Sequence, residues 1–240
     1  MKKISIILGM LLAIAIMPSC SGATPVKPTE SNTAICNNGT FIGDESEDIV
    51  VWRGVPYATQ PVGKLRWKKA LPAEDNKGTF EAIKPGHIPI GPNNDSQGTA
   101  EFGEDCLVLN VYNSKKSNSK NKPVMVWIHG GGFVTESISQ PLYDLSHIAF
   151  QHPDVLYVAI EYREGFMGFM NFEKVPGGEN YKDATNLGLL DQLEALRWIN
   201  KNIAAFGGDP NSVTLFGESA GSASICFLPL IEGSEGLFNR

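Results

Sequence analysis

The residues best suited to chemistry in this chain form a Gly-x-Ser-x-Gly pentapeptide near its end. Its members are Gly217, Glu218, Ser219, Ala220 and Gly221. A serine in this pattern sits on a sharp turn between a strand and a helix, which lifts its hydroxyl above the sheet and directs the next amide into the same space. Such a turn needs small neighbours, and the two glycines supply them. The pattern therefore predicts that Ser219 is a nucleophile.

A second candidate is the segment 129–133 (His-Gly-Gly-Gly-Phe), which directly follows an apolar run ending at Ile128. Glycines let backbone N–H groups approach a negatively charged oxygen without a side chain in the way. A phosphate-binding loop is excluded, because no Lys-Ser/Thr pair follows the glycines. Together with the serine turn, this loop predicts that a tetrahedral oxyanion formed at Ser219 is stabilised by backbone amides.

Three nearly continuous apolar runs precede or separate these motifs, at residues 124–128, 155–160 and 213–216. Runs of this kind are typical of strands buried on both faces, as in a parallel sheet covered by helices. Residues 186–205 carry apolar residues at spacings of three and four, which predicts a helix that ends before Gly207 and Gly208. The order strand, helix, strand indicates an α/β fold.

Taken together, the motifs resemble the type-B carboxylesterase family, which includes the cholinesterases. The resemblance extends from about Ile35 to Arg240. Besides the two glycine-rich motifs it rests on 53–58 (RGVPYA), 61–67 (PVGKLRW), 104–111 (EDCLVLNV), 186–192 (NLGLLDQ) and 206–210 (FGGDP). It implies an α/β-hydrolase fold with a mostly parallel central sheet and helices on both faces. Residues 33–240 would be the N-terminal portion of that single domain.

The resemblance also implies a role for each residue of the two motifs. Ser219 would be the nucleophile. The amides that would form the oxyanion hole are those of Gly131, Gly132 and Ala220. His129 belongs to the oxyanion loop and is expected to be structural. Glu218 would support the site, or would be a buried carboxylate that only accepts hydrogen bonds.

Two further expectations concern residues around the site. By resemblance, Arg53 and Glu104 would form a structural ion pair. In the family, the cysteine of the Glu-Asp-Cys-Leu motif usually pairs with one in the preceding loop. Here that loop, residues 72–105, is expected to be long and irregular, and it contains no cysteine. Cys106 would therefore pair with Cys36 or remain free.

A general base for Ser219 is the missing part of this chemistry. Serine is a weak nucleophile without a base. In α/β hydrolases the triad acid and histidine follow the serine along the chain, yet no histidine follows Ser219. We therefore expect both beyond residue 240. The chain would then be truncated, inactive alone, and left with an unpaired edge on the nucleophile strand.

Two classes of function stay open at this stage. The first is a serine carboxylic-ester hydrolase that forms an acyl-enzyme on Ser219 and acts on a small-molecule ester. The second is a non-catalytic binding or adhesion protein on the same scaffold, because a fold does not by itself define a function. A catalytic serine and an intact glycine loop favour the first.

The N-terminus predicts export. Two lysines precede an apolar run, residues 4–17, that is too short to span a bilayer and is typical of a secretory signal. The run leads to Cys20 in a pattern that resembles a bacterial lipobox. Residues 1–20 would be a signal peptide, either of lipoprotein type with lipid on Cys20 or of the ordinary cleaved type. Residues 21–32 predict a flexible tether, and the location would be the periplasm, the cell envelope or the medium.

Composition excludes some other functions. Acidic residues outnumber basic ones, and the net charge of −6 argues against nucleic-acid binding. The cysteines and histidines show no metal-ligand spacing, so we expect neither a metal nor another cofactor. The oligomeric state cannot be read from the sequence.

Overall fold

The computed structural model describes residues 26–91 and 100–240. Its centre is a mixed sheet. The main strands of this sheet are β1 (Thr33–Cys36), β2 (Gly39–Glu45), β3 (Ile49–Pro56), β9 (Val108–Ser114), β10 (Lys122–Ile128), β11 (Leu156–Ile160) and β12 (Gly208–Gly217). They lie side by side in the order β1-β2-β3-β9-β11-β10-β12, which is called the path of the sheet below. A further strand, β6 (Thr79–Ala82), pairs with β2.

Short strands interrupt the segment that was expected to be one long irregular loop. They include β6, β7 (Ile88–Pro89) and β8 (Phe102–Gly103), and β7 pairs with β8. Another small pair joins β4 (Ala58–Thr59) to β5 (Leu71–Pro72). Residues 92–99 of this segment lie outside the described residues.

The sheet contains both parallel and antiparallel pairs, and β6 pairs in parallel with β2. β10 pairs in parallel with β11 on one side and with β12 on the other, as the three apolar runs predicted. The remaining pairs along the path are antiparallel. Short turns join antiparallel neighbours such as β1 and β2, whereas parallel strands need long crossover connections. The α/β class is thus confirmed, and the sheet is mixed rather than mostly parallel within the described ranges.

Helices cover both faces of the sheet. They are α1 (Ser146–Gln151), α2 (Gly165–Gly168), α3 (Leu187–Asn202) and α4 (Ala220–Phe227). Side chains of α3 such as Leu196 share one hydrophobic cluster with Val126 of β10. On the opposite face, Ala149 of α1 shares a second cluster with Tyr157 of β11. The helix expected over residues 186–205 corresponds to α3 and a following 3₁₀ turn, Ile203–Phe206.

Other 3₁₀ turns connect the main elements. They span Gly63–Leu65, Pro141–Tyr143, Gly178–Asn186 and Leu228–Leu230. Across the described ranges, no helix combines the length and the apolar character that crossing a bilayer requires.

The N-terminal segment is attached to the sheet before β1 begins. The hydroxyls of Thr29 and Ser31 donate to the carboxylate of Glu45 at 2.6 and 2.5 Å, and Asn32 is buried. The folded part therefore starts earlier than residue 33, the boundary that the sequence suggested. The predicted signal peptide, residues 1–20, and residues 21–25 of the predicted tether lie outside the described residues.

The last residues of the chain lie along the outer edge of β12. The amide of Asn239 donates to the carbonyl of Val213, and the amide of Leu215 donates to the carbonyl of Arg240, both at 2.8 Å. The expectation of an unpaired edge on the nucleophile strand is therefore wrong for this part of β12, because the chain folds back and satisfies its backbone groups.

Candidate active site

Ser219 occupies the turn between β12, which ends at Gly217, and α4, which begins at Ala220. Its φ of 51° and ψ of −115° are rare for a residue with a side chain, and such strain costs about 1–3 kcal/mol. A Cβ at Gly221 would lie 2.0 Å from the carbonyl oxygen of Ile128, so only glycine lets α4 approach β10. This is the strand–turn–helix that the pentapeptide predicted, and Ser219 is exposed on it.

The glycine loop after β10 lies beside the serine. A Cβ at Gly130 would be 2.3 Å from the carboxylate of Glu218 and 3.2 Å from the Cβ of Ser219. Gly131 and Gly132 follow with φ values of 86° and 63°, a region that glycine adopts without strain. The parallel pairing of β10 and β12 brings the two motifs together, because their carboxyl ends meet at one edge of the sheet.

Three backbone amides of the two motifs are available to a ligand. Among the described residues, no acceptor receives a hydrogen bond from the amides of Gly131, Gly132 or Ala220. Ala220 is the first residue of α4, so its N–H has no acceptor inside the helix. Unpaired amides that converge near a nucleophile can hold an anionic oxygen.

The segment after β11 braces the glycine loop. The hydroxyl of Tyr162 donates to the carbonyl of His129 at 2.9 Å. The amide of Gly165 donates to the carbonyl of Phe133 at 2.6 Å. The backbone of the loop is therefore fixed at both ends by bonds to one neighbouring segment.

The side chain of His129, the first residue of this loop, is fully buried. Its Nε2 lies 2.8 Å from Oε1 of Glu161, its Nδ1 faces the carbonyl of Gly130 at 3.2 Å, and its ring stacks on Tyr162 at 4.3 Å between centroids. Both ring nitrogens therefore face groups other than the serine, and His129 is not positioned to act as a base for Ser219.

The other three histidines contact other side chains or lie at a helix end. Nδ1 of His87 lies 2.7 Å from Oδ1 of Asp105. Nε2 of His147 lies 2.9 Å from the side-chain nitrogen of Gln151. His152 follows the last residue of α1. None of these contacts involves Ser219, so the described residues do not assemble a Ser–His pair.

Glu218 is exposed in the described structure. Its alternative assignment as a buried carboxylate is therefore wrong here, because the turn holds this residue on the same open edge as Ser219. Its carboxylate lies over Gly130, next to the loop that carries the candidate oxyanion amides.

The expected ion pair between Arg53 and Glu104 does not form. Arg53 lies 3.5 Å from Asp44 and 3.6 Å from Asp144. Glu104 instead accepts hydrogen bonds from Nε and an amino group of Arg66. The fork of one guanidinium matches both oxygens of the carboxylate, and the fold places Arg66, not Arg53, where this match is made.

The cysteines of the described residues are unpaired. Cys36, Cys106 and Cys226 all have free thiols, so the open alternative between a Cys36–Cys106 bridge and free cysteines resolves to the second. Burial raises the pKa of Cys36 to about 12 and that of Cys106 well above its usual range. These two thiols are therefore poor nucleophiles. Within residues 26–91 and 100–240, no group of three or more His, Cys, Asp or Glu side chains has an arrangement that could hold a metal ion.

Sequence reasoning overlooked the charged residues that follow β11. The side chains in question, those of Glu161, Arg163 and Glu164, are buried. The guanidinium of Arg163 forms an ion pair with Asp191 of α3 through two hydrogen bonds of 2.7 and 2.6 Å. The sequence does contain a pattern that points to them, because Glu161, Arg163 and Glu164 closely follow the apolar run that forms β11. The end of that strand aligns with the end of β10, where the glycine loop begins.

A serine on a strained turn after one parallel strand, beside a glycine loop that follows the neighbouring parallel strand, defines the serine hydrolases of the α/β-hydrolase fold. The chain belongs to the carboxylesterase family, whose sequence profile matches residues 30–240.

Individual relatives agree with this assignment. The chain is 43% identical over 206 residues to the para-nitrobenzyl esterase of Bacillus subtilis (strain 168), across 84% of this chain and 41% of that protein. It is 36% identical over 250 residues to the liver carboxylesterase of Sus scrofa, across 96% of this chain and 43% of that protein. The chain thus spans about two fifths of the length of these relatives.

Solved structures show the same similarity in three dimensions. A thermophilic pNB esterase superposes with a TM-score of 0.80 at 40% identity, across 88% of this chain and 43% of that one. A Geobacillus stearothermophilus carboxylesterase superposes with a TM-score of 0.78 at 41% identity, across 87% of this chain and 42% of that one.

Proposed function

We propose that this chain carries the nucleophile and the oxyanion hole of a serine carboxylic-ester hydrolase. Oγ of Ser219 attacks the ester carbonyl carbon, and the carbonyl oxygen becomes an oxyanion. The amides that receive it are those of Gly131, Gly132 and Ala220. The bond to the alcohol oxygen then breaks, the alcohol leaves with a proton, and water hydrolyses the acyl group from Ser219. The observation that carries this proposal is the strained turn of Ser219 beside the glycine loop.

The general base belongs, in this proposal, to residues that follow Arg240 in a longer protein. Both ring nitrogens of His129 face other groups beneath the loop, and the three other histidines lie elsewhere. Without a base a serine reacts slowly. We therefore propose that the 240-residue chain alone does not turn over esters efficiently, although its nucleophile turn is formed.

Labelling with a fluorophosphonate tests the nucleophile in the longest natural form of the protein. The wild type is expected to become labelled, and Ser219→Ala is expected to lose the label. Ser222→Ala is the matched control, because Ser222 is an exposed serine of α4 outside the proposed site. Label retained in Ser219→Ala would exclude Ser219 as the nucleophile. A folded wild type that never reacts would favour the non-catalytic binding protein.

Two glycine variants test the oxyanion hole. A Cβ at Gly131 would lie 1.6 Å from the carbonyl oxygen of Thr135, whereas a Cβ at Gly132 would meet nothing closer than a methyl of Val134 at 3.9 Å. Gly131→Ala must therefore displace the backbone and is expected to lower kcat by roughly 10²–10³, the effect of losing one oxyanion donor. Gly132→Ala is expected to lower kcat less. A Gly131→Ala variant with the kcat of the wild type would contradict the assignment of the Gly131 amide to the oxyanion hole.

The substrate is proposed to be a small carboxylic ester. The Bacillus relative is called a para-nitrobenzyl esterase, which makes para-nitrobenzyl esters the first compounds to assay. Release of the alcohol by the long form, absent in Ser219→Ala, is the expected result. Alcohol release by the 240-residue chain that depends on Ser219 would show that the chain holds its own base.

We also propose that the chain is exported and that Cys20 carries a lipid. The proposal rests on the basic start, the short apolar run and the position of Cys20 after it. Incorporation of labelled palmitate is expected in the wild type and in Cys226→Ser, the matched control at an exposed thiol. The Cys20→Ser variant is expected to lose the label. An unlabelled wild type would indicate ordinary signal cleavage instead.

A further inference from the structure

A tight turn begins at the first of the candidate oxyanion glycines and spans residues 131–136. The amides of Val134 and Thr135 both donate to the carbonyl of Gly131 at 3.1 Å. A Cβ at Gly131 would lie 1.6 Å from the carbonyl oxygen of Thr135 and 2.3 Å from Cγ of Glu136. The backbone of Gly131 therefore lies directly against the far end of the turn, and any opening of the turn would move it.

Glu136 ends this turn in a conformation that favours glycine. Its φ is 97°, a region that is unfavourable for a residue with a side chain. Glycine would adopt the same conformation without strain. A glutamate at this position is therefore expected to contribute an interaction that glycine lacks, and its contacts identify that interaction.

The carboxyl group of Glu136 is bound by Tyr143. The hydroxyl of Tyr143 donates to Oε2 of Glu136 at 2.8 Å. Burial, and next this hydrogen bond, raise the pKa of the Tyr143 hydroxyl, so the hydroxyl keeps its proton and acts as the donor. A carboxyl oxygen can accept this bond with or without a proton on the group. The contact therefore does not depend on the charge of Glu136.

Tyr143 is itself fixed to the strand that leads into the glycine loop. Its ring packs against Trp127 of β10, with 5.4 Å between the ring centroids. Its amide donates to the carbonyl of Gln140 at 3.0 Å, and only 9% of the residue is exposed. These contacts connect β10 through Tyr143 and Glu136 back to the backbone of Gly131.

The residues that follow Glu136 are attached to a different element. The hydroxyl of Ser137 and the amide of Ile138 both donate to Oε2 of Glu161, at 2.6 and 3.1 Å. Loss of the Tyr143 hydrogen bond would leave these bonds in place. Its effect is therefore expected to be local to the turn.

We infer that Glu136 and Tyr143 form a clamp that closes the turn and thereby positions the candidate oxyanion amides of Gly131 and Gly132. Both are positioning residues, because they act through the backbone of the turn. The consequence for ester hydrolysis rests on the proposed function, whereas the closure of the turn by the clamp does not.

Amide hydrogen exchange followed by NMR tests the clamp on the 240-residue chain. The amides of Val134 and Thr135 report opening of the turn, because both donate to the carbonyl of Gly131. Tyr143→Phe removes the donor of the clamp and keeps the ring. Both amides are then expected to exchange about tenfold faster, which corresponds to the loss of one hydrogen bond.

Three further variants separate the clamp from a general loss of stability. Tyr157→Phe is the matched control, because this tyrosine lies in the buried cluster that Trp127 joins and its hydroxyl makes no hydrogen bond to a described residue. It should leave the exchange of the two turn amides unchanged. Glu136→Gln keeps a carbonyl oxygen as acceptor and should retain slow exchange. Glu136→Ala removes the acceptor and should resemble Tyr143→Phe.

Kinetics of the longest natural form test the effect on the oxyanion amides. The kcat for a para-nitrobenzyl ester is divided by the fraction of the protein that a fluorophosphonate labels, so that unfolded molecules are not counted. Tyr143→Phe is expected to lower this kcat about tenfold and to change KM less than about twofold, because oxyanion contacts form mainly in the transition state. Glu136→Gln should keep a higher kcat than Glu136→Ala.

Several results would overturn the inference. They are equal exchange of the turn amides in the wild type and Tyr143→Phe, equal acceleration in Tyr157→Phe, and equal exchange in Glu136→Gln and Glu136→Ala. An unchanged kcat in Tyr143→Phe, in a long form that hydrolyses the ester, would also overturn it. If Tyr143→Phe does not fold, the two Glu136 variants make the same comparison. A long form that never hydrolyses the ester, while the exchange results hold, would contradict the proposed function alone.

Discussion

Two buried pairs of a basic and an acidic side chain flank Tyr162, and they differ in how well their hydrogen bonds are satisfied. Arg163 donates to both carboxylate oxygens of Asp191 and to the carbonyl of Lys68. His129 and Glu161 lie close, yet their facing atoms make no aligned hydrogen bond, and a second buried acid, Glu164, stands beside them.

The difference indicates two kinds of role. A guanidinium stays charged at every accessible pH, so the Arg163 pair is a permanent connection between the segment after β11 and α3. The contact between His129 and Glu161 lacks such a match, because their facing atoms make no hydrogen bond. The first pair connects two elements of the fold, whereas the second lies against the glycine loop of the candidate site.

Asp191→Asn should show the largest effect, because it leaves the buried charge of Arg163 without a partner. We expect a loss of about 3–5 kcal/mol in the free energy of unfolding. Urea denaturation followed by circular dichroism measures it, with Asp183→Asn as a control at an exposed acid. A loss below about 1 kcal/mol, within the range of surface pairs, would mean that the pair is not the scaffold connection described above.

Ser137→Ala should have an intermediate effect on the second pair. The buried hydroxyl of Ser137 donates to Glu161 at 2.6 Å, and hydrogen bonds to charged groups contribute about 1.5–3 kcal/mol. The same urea experiment should show a loss in that range. Ser139→Ala, two residues away and without a recorded side-chain acceptor, should change stability by less than about 0.5 kcal/mol. Similar values for both variants would contradict a stabilising hydrogen bond from Ser137 to Glu161.

Glu164→Gln should change the pH dependence of stability. The pKa of Glu164 is raised from 4.5 to about 10, so the folded protein keeps a proton that the unfolded chain releases between these values. Stability must then fall as the pH rises through this window, by at most about 1.4 kcal/mol per pH unit. The glutamine variant lacks this contribution and should have a flatter profile between pH 6 and 9. A profile as steep as that of the wild type would contradict a protonated Glu164.

The parts of the site that local pattern determines were predictable. The turn at Ser219 and the loop at Gly131 need glycine and small residues for steric reasons, and these reasons act within a few positions along the chain. The apolar runs that became β10, β11 and β12 were recognisable for a similar reason, because a strand buried on both faces must be apolar throughout.

Contacts between distant segments were not predictable in the same way. The expected partner of Glu104 was Arg53, but the fold brings Arg66 to it. The pairing of Arg163 with Asp191 depends on how α3 packs against the end of β11. Charge alone leaves several partners open, and only the packing of these elements selects one of them.

The sequence by itself determined the strand–turn–helix with its candidate nucleophile and the glycine loop, since each depends on steric rules between near neighbours. The α/β-hydrolase fold was implied by the resemblance of several motifs to one family. Only the tertiary structure decided that the glycine loop meets Ser219 and that Glu161 and Glu164 are buried beneath it. The physical reason is burial, because removal from water and the approach of other charges determine which ionisable groups keep their charge.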